Sequence, residues 1–229
     1  MSNGIEVSTK DCTALTDGEL AEMADLSAGS KAAAFEVGFL SKQREEWVLV
    51  THAREAEGGK LRGYAFSTLE RIGGTPSLLI GLAAFTTTRA CTQAVDAVMH
   101  DLYRRAVLAF PDEDVLVGTR FCHPAAYRCF TGLEEVVPRP DHKPTGEERA
   151  WGRRLAKRFG AEGRLDDRSF LIKGEGDLSG LFDYEPGKEP KEAATYLCCF
   201  PEIDKTRGDS MVAFGWAMAE QLAAGSLPK

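Results

Sequence analysis

Apolar residues follow two rhythms along this chain, one repeating every three to four positions and one alternating or continuous, and the switches between them mark its elements. Thr16-Asp-Gly-Glu19 has capping-box spacing, and Leu20, Met23 and Ala24 follow at helical intervals, predicting a helix over 17–26. Ser30 is placed to cap a second helix, whose stripe Phe35, Phe39 and Leu40 ends in the charged run 42–46. The period then becomes extended. Residues 47–53 are rich in β-formers, Glu57-Gly-Gly59 signals a turn, and 61–69 reads as the returning strand of a hairpin. After the break Gly73-Gly-Thr-Pro76, residues 77–85 are continuously apolar, the mark of a strand covered on both faces and so central in its sheet.

A long helix over 92–109 follows, with the stripe Cys91, Val95, Val98, Leu102 and Ala106 and a charged opposite face. Pro111 ends it. Residues 115–121 form the next strand, 124–131 a helix with Pro124 in its first turn, and 135–137 a short strand. The stretch 139–168 interrupts with one good helix: Thr145 and Glu148 as capping box, Trp151, Leu155 and Phe159 as stripe, Gly160 as stop. Strands are expected at 169–173 and 194–200, then a last amphipathic helix carrying Met211, Phe214, Met218 and Leu222. This order predicts an α/β (α+β) fold, a mixed, mostly antiparallel sheet with helices on both faces and parallel neighbours where a helix intervenes.

With 229 residues, 43% of them apolar and 28% charged, the chain has ample material for a core, which excludes disorder. A net charge of −7 argues against a dedicated nucleic-acid binder. No apolar stretch is long enough to span a bilayer and the N-terminus lacks a secretory pattern, so a cytoplasmic protein without membrane contact is expected. The six cysteines lack the paired spacing of a zinc site, and no metal is expected; Cys198 and Cys199 read as buried free thiols on opposite sides of a strand. Arg149, Arg153, Arg154, Lys157 and Arg158 make the one strongly basic stretch. It reads first as a solvated face, with an anionic headgroup, a nucleic acid or another phosphate as rivals.

The informative segment is 81–94, where the buried strand turns through Thr86-Thr-Thr-Arg89 into the long helix. A helix N-terminus reached through small residues presents backbone N–H groups and partial positive charge to an anion. Here the sequence resembles the GNAT family of acyl-CoA N-acetyltransferases. Leu82-Ala-Ala84 falls on the family's L-A-V, Thr86 and Thr88 on its usual Pro and Tyr, and Arg89-Ala-Cys-Thr-Gln-Ala94 on its R-x-x-G-x-A loop, with Thr92 at the Gly position. A second block, 123–133, aligns without gaps on N-x-x-A-x-x-L-Y-x-K-L. The resemblance implies a GNAT-like domain over 1–173 with an insertion at 139–168, and a C-terminal extension over 174–229 packed on the same domain. That extension has three roles open to it: covering a sheet edge, completing an acceptor pocket, or forming a homodimer contact.

Acyl transfer to an amine needs a placed thioester, a route for the amine proton and a proton for the departing thiolate. The resemblance implies acetyl-CoA or another acyl-CoA as co-substrate and a small-molecule or protein amine as acceptor. Backbone groups at a bulge, here Leu82, Ala83 and Ala84, would hold the pantetheine arm, and Arg89, Ala90, Cys91, Thr92, Gln93 and Ala94 the pyrophosphate. The family's frequent acid, a Tyr, is Phe130 here. This leaves Tyr127 as proton donor, or water, or no transfer at all. Glu70, His52 and His123 are the candidate bases. Two other readings stand beside the acyltransferase: a catalytically impaired relative that binds acyl-CoA or a protein partner, and an acyltransferase using a carrier-protein thioester, with the basic insertion docking an acidic carrier.

Overall fold

The computed structural model describes residues 4–28, 35–87, 91–176, 181–186, 191–200 and 202–228. In chain order the elements are β1 (Ile5–Asp11), α1 (Asp17–Ala28), α2 (Val37–Glu46), β2 (Leu49–Glu55), β3 (Leu61–Ile72), β4 (Thr75–Phe85), α3 (Cys91–Ala109) and β5 (Val115–Phe121). A 3-10 helix (Pro124–Phe130) leads to β6 (Glu134–Val137), α4 (Gly146–Arg158), β7 (Leu165–Asp166), β8 (Leu171–Ile172), β9 (Phe182–Asp183), α5 (Lys191–Tyr196), β10 (Ser210–Ala217) and α6 (Ala219–Ala223). The strands join in one sheet of order β1-β2-β3-β4-β5-β10-β8-β7, with β6 on β10 and β9 on β4.

The sheet is mixed and mostly antiparallel, as expected. β4 pairs antiparallel with β3 and parallel with β5, and α3 is the crossover that a parallel connection requires. β4 is buried from Pro76 to Phe85, which is why its sequence shows no alternation. Side chains in β2 show the two faces. Thr51 points toward α3, bonding Thr9 Oγ1 at 2.8 Å, which in turn donates to Asp101 of α3. Its neighbour His52 points the other way, to Met23 of α1 at 3.3 Å. On the α1 side, Trp47 at the end of α2 meets Phe159 at the end of α4, with ring centroids 6.3 Å apart. On the α3 side, Tyr103 donates to the Cys129 carbonyl and fixes the 3-10 helix.

Several elements differ from expectation. The stretch 194–200 is not a strand: α5 and a following 3-10 turn (Leu197–Cys199) lie there, because Tyr196 stacks on Tyr127 at 3.9 Å and docks the segment as a helix. Cys198 is therefore exposed and Cys199 half-buried, and all six cysteines are free thiols. The last amphipathic helix is replaced by β10 and the short α6. Met211, Phe214 and Met218 sit at helical spacing, but 211–217 is also a continuous apolar run, and burial on both faces between β5 and β8 decides for strand. β1, with its alternating burial, and β9 were not anticipated. Residues 124–130 wind as a 3-10 helix, not an α-helix. Ser30, the expected cap of α2, lies outside the described residues.

Candidate active site

β4 and β5 run side by side for four residue pairs only, from Ser77 opposite Leu116 to Ile80 opposite Thr119. Thr119 Oγ1 closes the pairing by donating to the Ile80 carbonyl at 2.7 Å. Immediately beyond, β4 bulges. Ile80 faces Ser67 and Ala83 faces Ala65, so Gly81 and Leu82 together oppose the single residue Phe66. Glycine is required at the bulge, since a Cβ on Gly81 would stand 1.9 Å from the Trp47 ring. A strand that parts from its neighbour at a bulge leaves main-chain N–H and C=O groups without sheet partners, and such groups demand a hydrogen bond from something.

Here the chain supplies the partner itself. β9 enters beside β4 and pairs parallel to it, Phe182 opposite Ala83 and Asp183 opposite Ala84, with the Ala83 N–H donating to the Leu181 carbonyl at 2.9 Å. Phe182 packs on Phe85, centroids 5.5 Å apart, and Tyr184 meets the same ring edge-on at 6.1 Å. The Tyr184 hydroxyl is 3.1 Å from Thr92 Oγ1 in the first turn of α3. Glu185 pairs with Lys205 at 3.0 Å and lies 4.0 Å from His123. Register sets His52, Tyr64, Ala84 and Asp183 in one row across four strands, on the face covered by α1. The Tyr64 hydroxyl is fully buried without a hydrogen-bond partner, and burial foremost drives its pKa upward. Cys122 is pushed up to about 11, by burial first and by the carboxylates of Asp183 and Glu185 in addition.

Leu82, Ala83 and Ala84 are thus at the bulge and wholly buried. Cys91, Thr92, Gln93 and Ala94 form the first turn of α3, with Cys91 and Ala94 buried, Thr92 half-buried and Gln93 exposed. Thr88, Arg89 and Ala90 lie outside the described residues. Tyr127 is buried under α5 and its hydroxyl donates to the Pro138 carbonyl at 3.1 Å; burial drives its pKa far up. Glu70 lies toward the opposite end of β3, opposite Ser77, and accepts from Arg158 at 2.7 Å. Seven residues of extended strand, roughly 23 Å, separate Ser77 from Ala84. His52 is depressed to about 4, mainly by burial, and His123 caps the 3-10 helix by accepting the Ala125 N–H. The basic stretch is largely neutralised: Arg153 pairs with Asp167, Lys157 with Glu162 and Arg158 with Glu70, while Arg154 covers the Trp151 ring.

One row beyond Tyr64 and Ala84, a pocket of about 370 Å³ opens between α1 and the ends of β3 and β4, lined by Glu22, Asp25, Lys60, Arg62, Thr86 and Thr87. Glu22 is held by a two-pronged contact from Arg54 and Arg62 by Glu55, leaving Asp25 and Lys60 as the charges at its rim. Sequence reasoning missed Asp183, Tyr184 and this pocket. Leu-Phe-Asp-Tyr184 is too short an apolar run to announce a strand, and only pairing with β4 gives it a place. Among the described residues no group of three His, Cys, Asp or Glu is arranged to hold a metal ion, and no helix is long and apolar enough to cross a membrane.

No family model and no curated protein sequence matches the chain. Among solved structures it is similar to the ribosomal-protein-S18-alanine N-acetyltransferase of Escherichia coli, at 13% identity over 62% of this chain and 86% of that one, TM-score 0.38. It is similar also to a GNAT family acetyltransferase of Brucella melitensis in complex with acetyl-CoA, at 14% identity over 56% of this chain and 83% of that one, TM-score 0.38. The NatB acetyltransferase complex bound to CoA is a third, at 13% identity over 91% and 98%, TM-score 0.39. In this chain the central strand is bulged, its crossover helix starts at Cys91 after the strand ends at Phe85, and its parallel neighbour diverges at the bulge. Within this sheet, β9 and β10 both come from the C-terminal stretch, and β9 lies beside β4 where β5 diverges from it.

Proposed function

We propose that the chain is an acyl-CoA-dependent N-acyltransferase acting by direct transfer to an amine. The observation that carries this reading is the bulge at Gly81–Leu82 where β4 leaves β5, with the first turn of α3 at its end. In this reading the main chain of Leu82, Ala83 and Ala84 binds the pantetheine arm and orients the thioester carbonyl. The helix start Cys91–Ala94, with Arg89 and Ala90 before it, takes the pyrophosphate through N–H groups and helix-end charge. Acyl-CoA brings the activated thioester. The chain holds it beside the pocket at Asp25 and Thr86, where a carboxylate favours a cationic amine. Tyr127 is committed to Pro138 and Glu70 to Arg158, so proton movement is assigned to water in the pocket. A CoA-type thiol ionises near pH 8.5, about two pH units below a lysine-type amine, so the thiolate departs without a strong acid and the amine proton is the harder step.

One observation favours a second reading, an impaired acyl-CoA-binding or protein-interaction subunit: the Ala83 N–H is already spent on Leu181. Isothermal titration with acetyl-CoA, longer acyl-CoAs and CoA, followed by thiol release across an amine panel, separates the two. Binding with thiol release is the expected result. Binding without release for every amine supports the impaired subunit, and failure of the wild-type chain and of Phe182→Ala alike to bind any of the three overturns both acyl-CoA-dependent readings.

A further inference from the structure

Resting on that reading, we propose that segment 181–185 is an internal strap that occupies the acyl-CoA cleft and is displaced when acyl-CoA binds. The strap takes the donor that the pantetheine arm would need, because the Ala83 N–H bonds Leu181 O at 2.9 Å. It is extended and parallel to β4, so it presents to the cleft the same kind of group as an amide-bearing arm, a main-chain carbonyl set against a strand edge. Its far end reaches the phosphate side of the site, where the Tyr184 hydroxyl faces Thr92 of α3 at 3.1 Å. One short segment thus covers both the bulge and the helix start.

The seat is also weakly built as a strand. Among the described residues two pair with β4, where a stable sheet strand usually has about five or six. Phe182 and Tyr184 pack against Phe85, and aromatic packing is lost as a unit when the segment lifts.

The test is acetyl-CoA titration of the full chain and of its Phe182→Ala and Tyr184→Phe variants, with hydrogen exchange read in peptides spanning 181–186. Acetyl-CoA should speed exchange in that peptide of the wild-type chain. Phe182→Ala should tighten binding at least tenfold, and Tyr184→Phe, which removes one hydrogen bond, about fivefold. Binding seen only in the variants supports the strap as well, as a cleft held shut. If the wild-type chain binds acetyl-CoA while exchange at 181–186 stays the same or slows, the strap is no competitor, and the proposal fails with the acyl-CoA reading intact. If neither the wild type nor any variant binds, the acyl-CoA reading itself fails and the strap falls with it. Should Phe182→Ala not fold, wild-type exchange and Tyr184→Phe decide.

Discussion

Gly81→Ala tests the packing that sets the bulge. A Cβ there would stand 1.9 Å from Trp47 Cζ2 and 2.0 Å from Cε2, well inside contact distance. The indole cannot simply swing away. Its Nε1 donates to Gln43 at 3.2 Å, Phe159 packs against it and the Arg158 guanidinium lies 4.9 Å from its centroid. Overpacking a rigid site costs about 1–3 kcal/mol, and the severity of this clash puts it at the upper end. The loss of glycine's freedom in the unfolded chain returns about 0.4–1 kcal/mol, leaving a net destabilisation of about 2 kcal/mol. For a chain of this size that is a fall in melting temperature of roughly 4–8 °C. Trp47→Ala alone should cost about 3–5 kcal/mol through its cavity. The two substitutions together should cost about 3 kcal/mol less than their sum, because removing the ring removes the whole clash while the gain from replacing glycine stays. Thermal and urea unfolding of the four proteins measure both quantities. A neutral Gly81→Ala, or strict additivity, would refute the ring-on-bulge contact.

Three further outcomes follow from the same contacts. His52 has its pKa lowered from 6.5 to about 4 by burial, so the unfolded chain takes up its proton first as pH falls. Its stability contribution is full above about pH 6.5 and is lost down to about pH 4, a loss of order 3 kcal/mol, which His52→Leu should remove from the pH dependence of the urea midpoint. Asp209 is lowered from 3.8 to about 2, chiefly by Arg207 and also by the Gly174 and Asp204 N–H groups. That contribution is complete above about pH 4 and disappears toward pH 2, so Asp209→Asn should destabilise at pH 7 and be indistinguishable from wild type at pH 2. Glu70→Gln should leave acyl-CoA affinity and turnover within about twofold and cost at most about 1 kcal/mol, since its pair with Arg158 is one-third exposed; a tenfold loss of turnover would place Glu70 near the chemistry.

The middle of the chain was legible because its signals agree across levels. The stretch 77–85 is apolar on both faces, 92–109 carries one stripe, and Pro111 and the Thr145–Glu148 box punctuate where the elements end. β5 falls on the residues expected, 115–121. The ends were harder for a physical reason. β10 carries apolar residues at both periods, and which one wins depends on whether β5 offers an open edge, a fact about partners 90 residues away. The identity of the cleft occupant is similarly non-local. Nothing in Leu-Phe-Asp-Tyr184 says strand, and β9 exists only because the bulge leaves an edge to pair with. Within the site, the bulge and the start of α3 are legible from 81–94, whereas residue type alone points to Tyr127 and Glu70, and their partners Pro138 and Arg158 come from elements whose positions sequence spacing does not set.

The two edges of β5 then explain why the C-terminal stretch has to serve both sheet and cleft. On one side β10 covers β5 along its whole length, Val115 to Phe121, so residues 210–217 are structural and bring the chain back to the centre of the sheet. On the other side β4 accompanies β5 only as far as Thr119, and the gap opens toward the bulge. β8 on the outer edge of β10 and β10 itself bracket residues 173–209, so that connection starts one strand outside β10 and ends on β10, the neighbour of β5. Within it, 181–186 reaches across to β4 and fills the opening from the same side of the sequence that finishes the sheet. An acidic chain has little general attraction for a polyanionic coenzyme. Its affinity would have to come from this one cleft, and whether the strap or the coenzyme holds the Ala83 N–H is therefore the equilibrium that sets it.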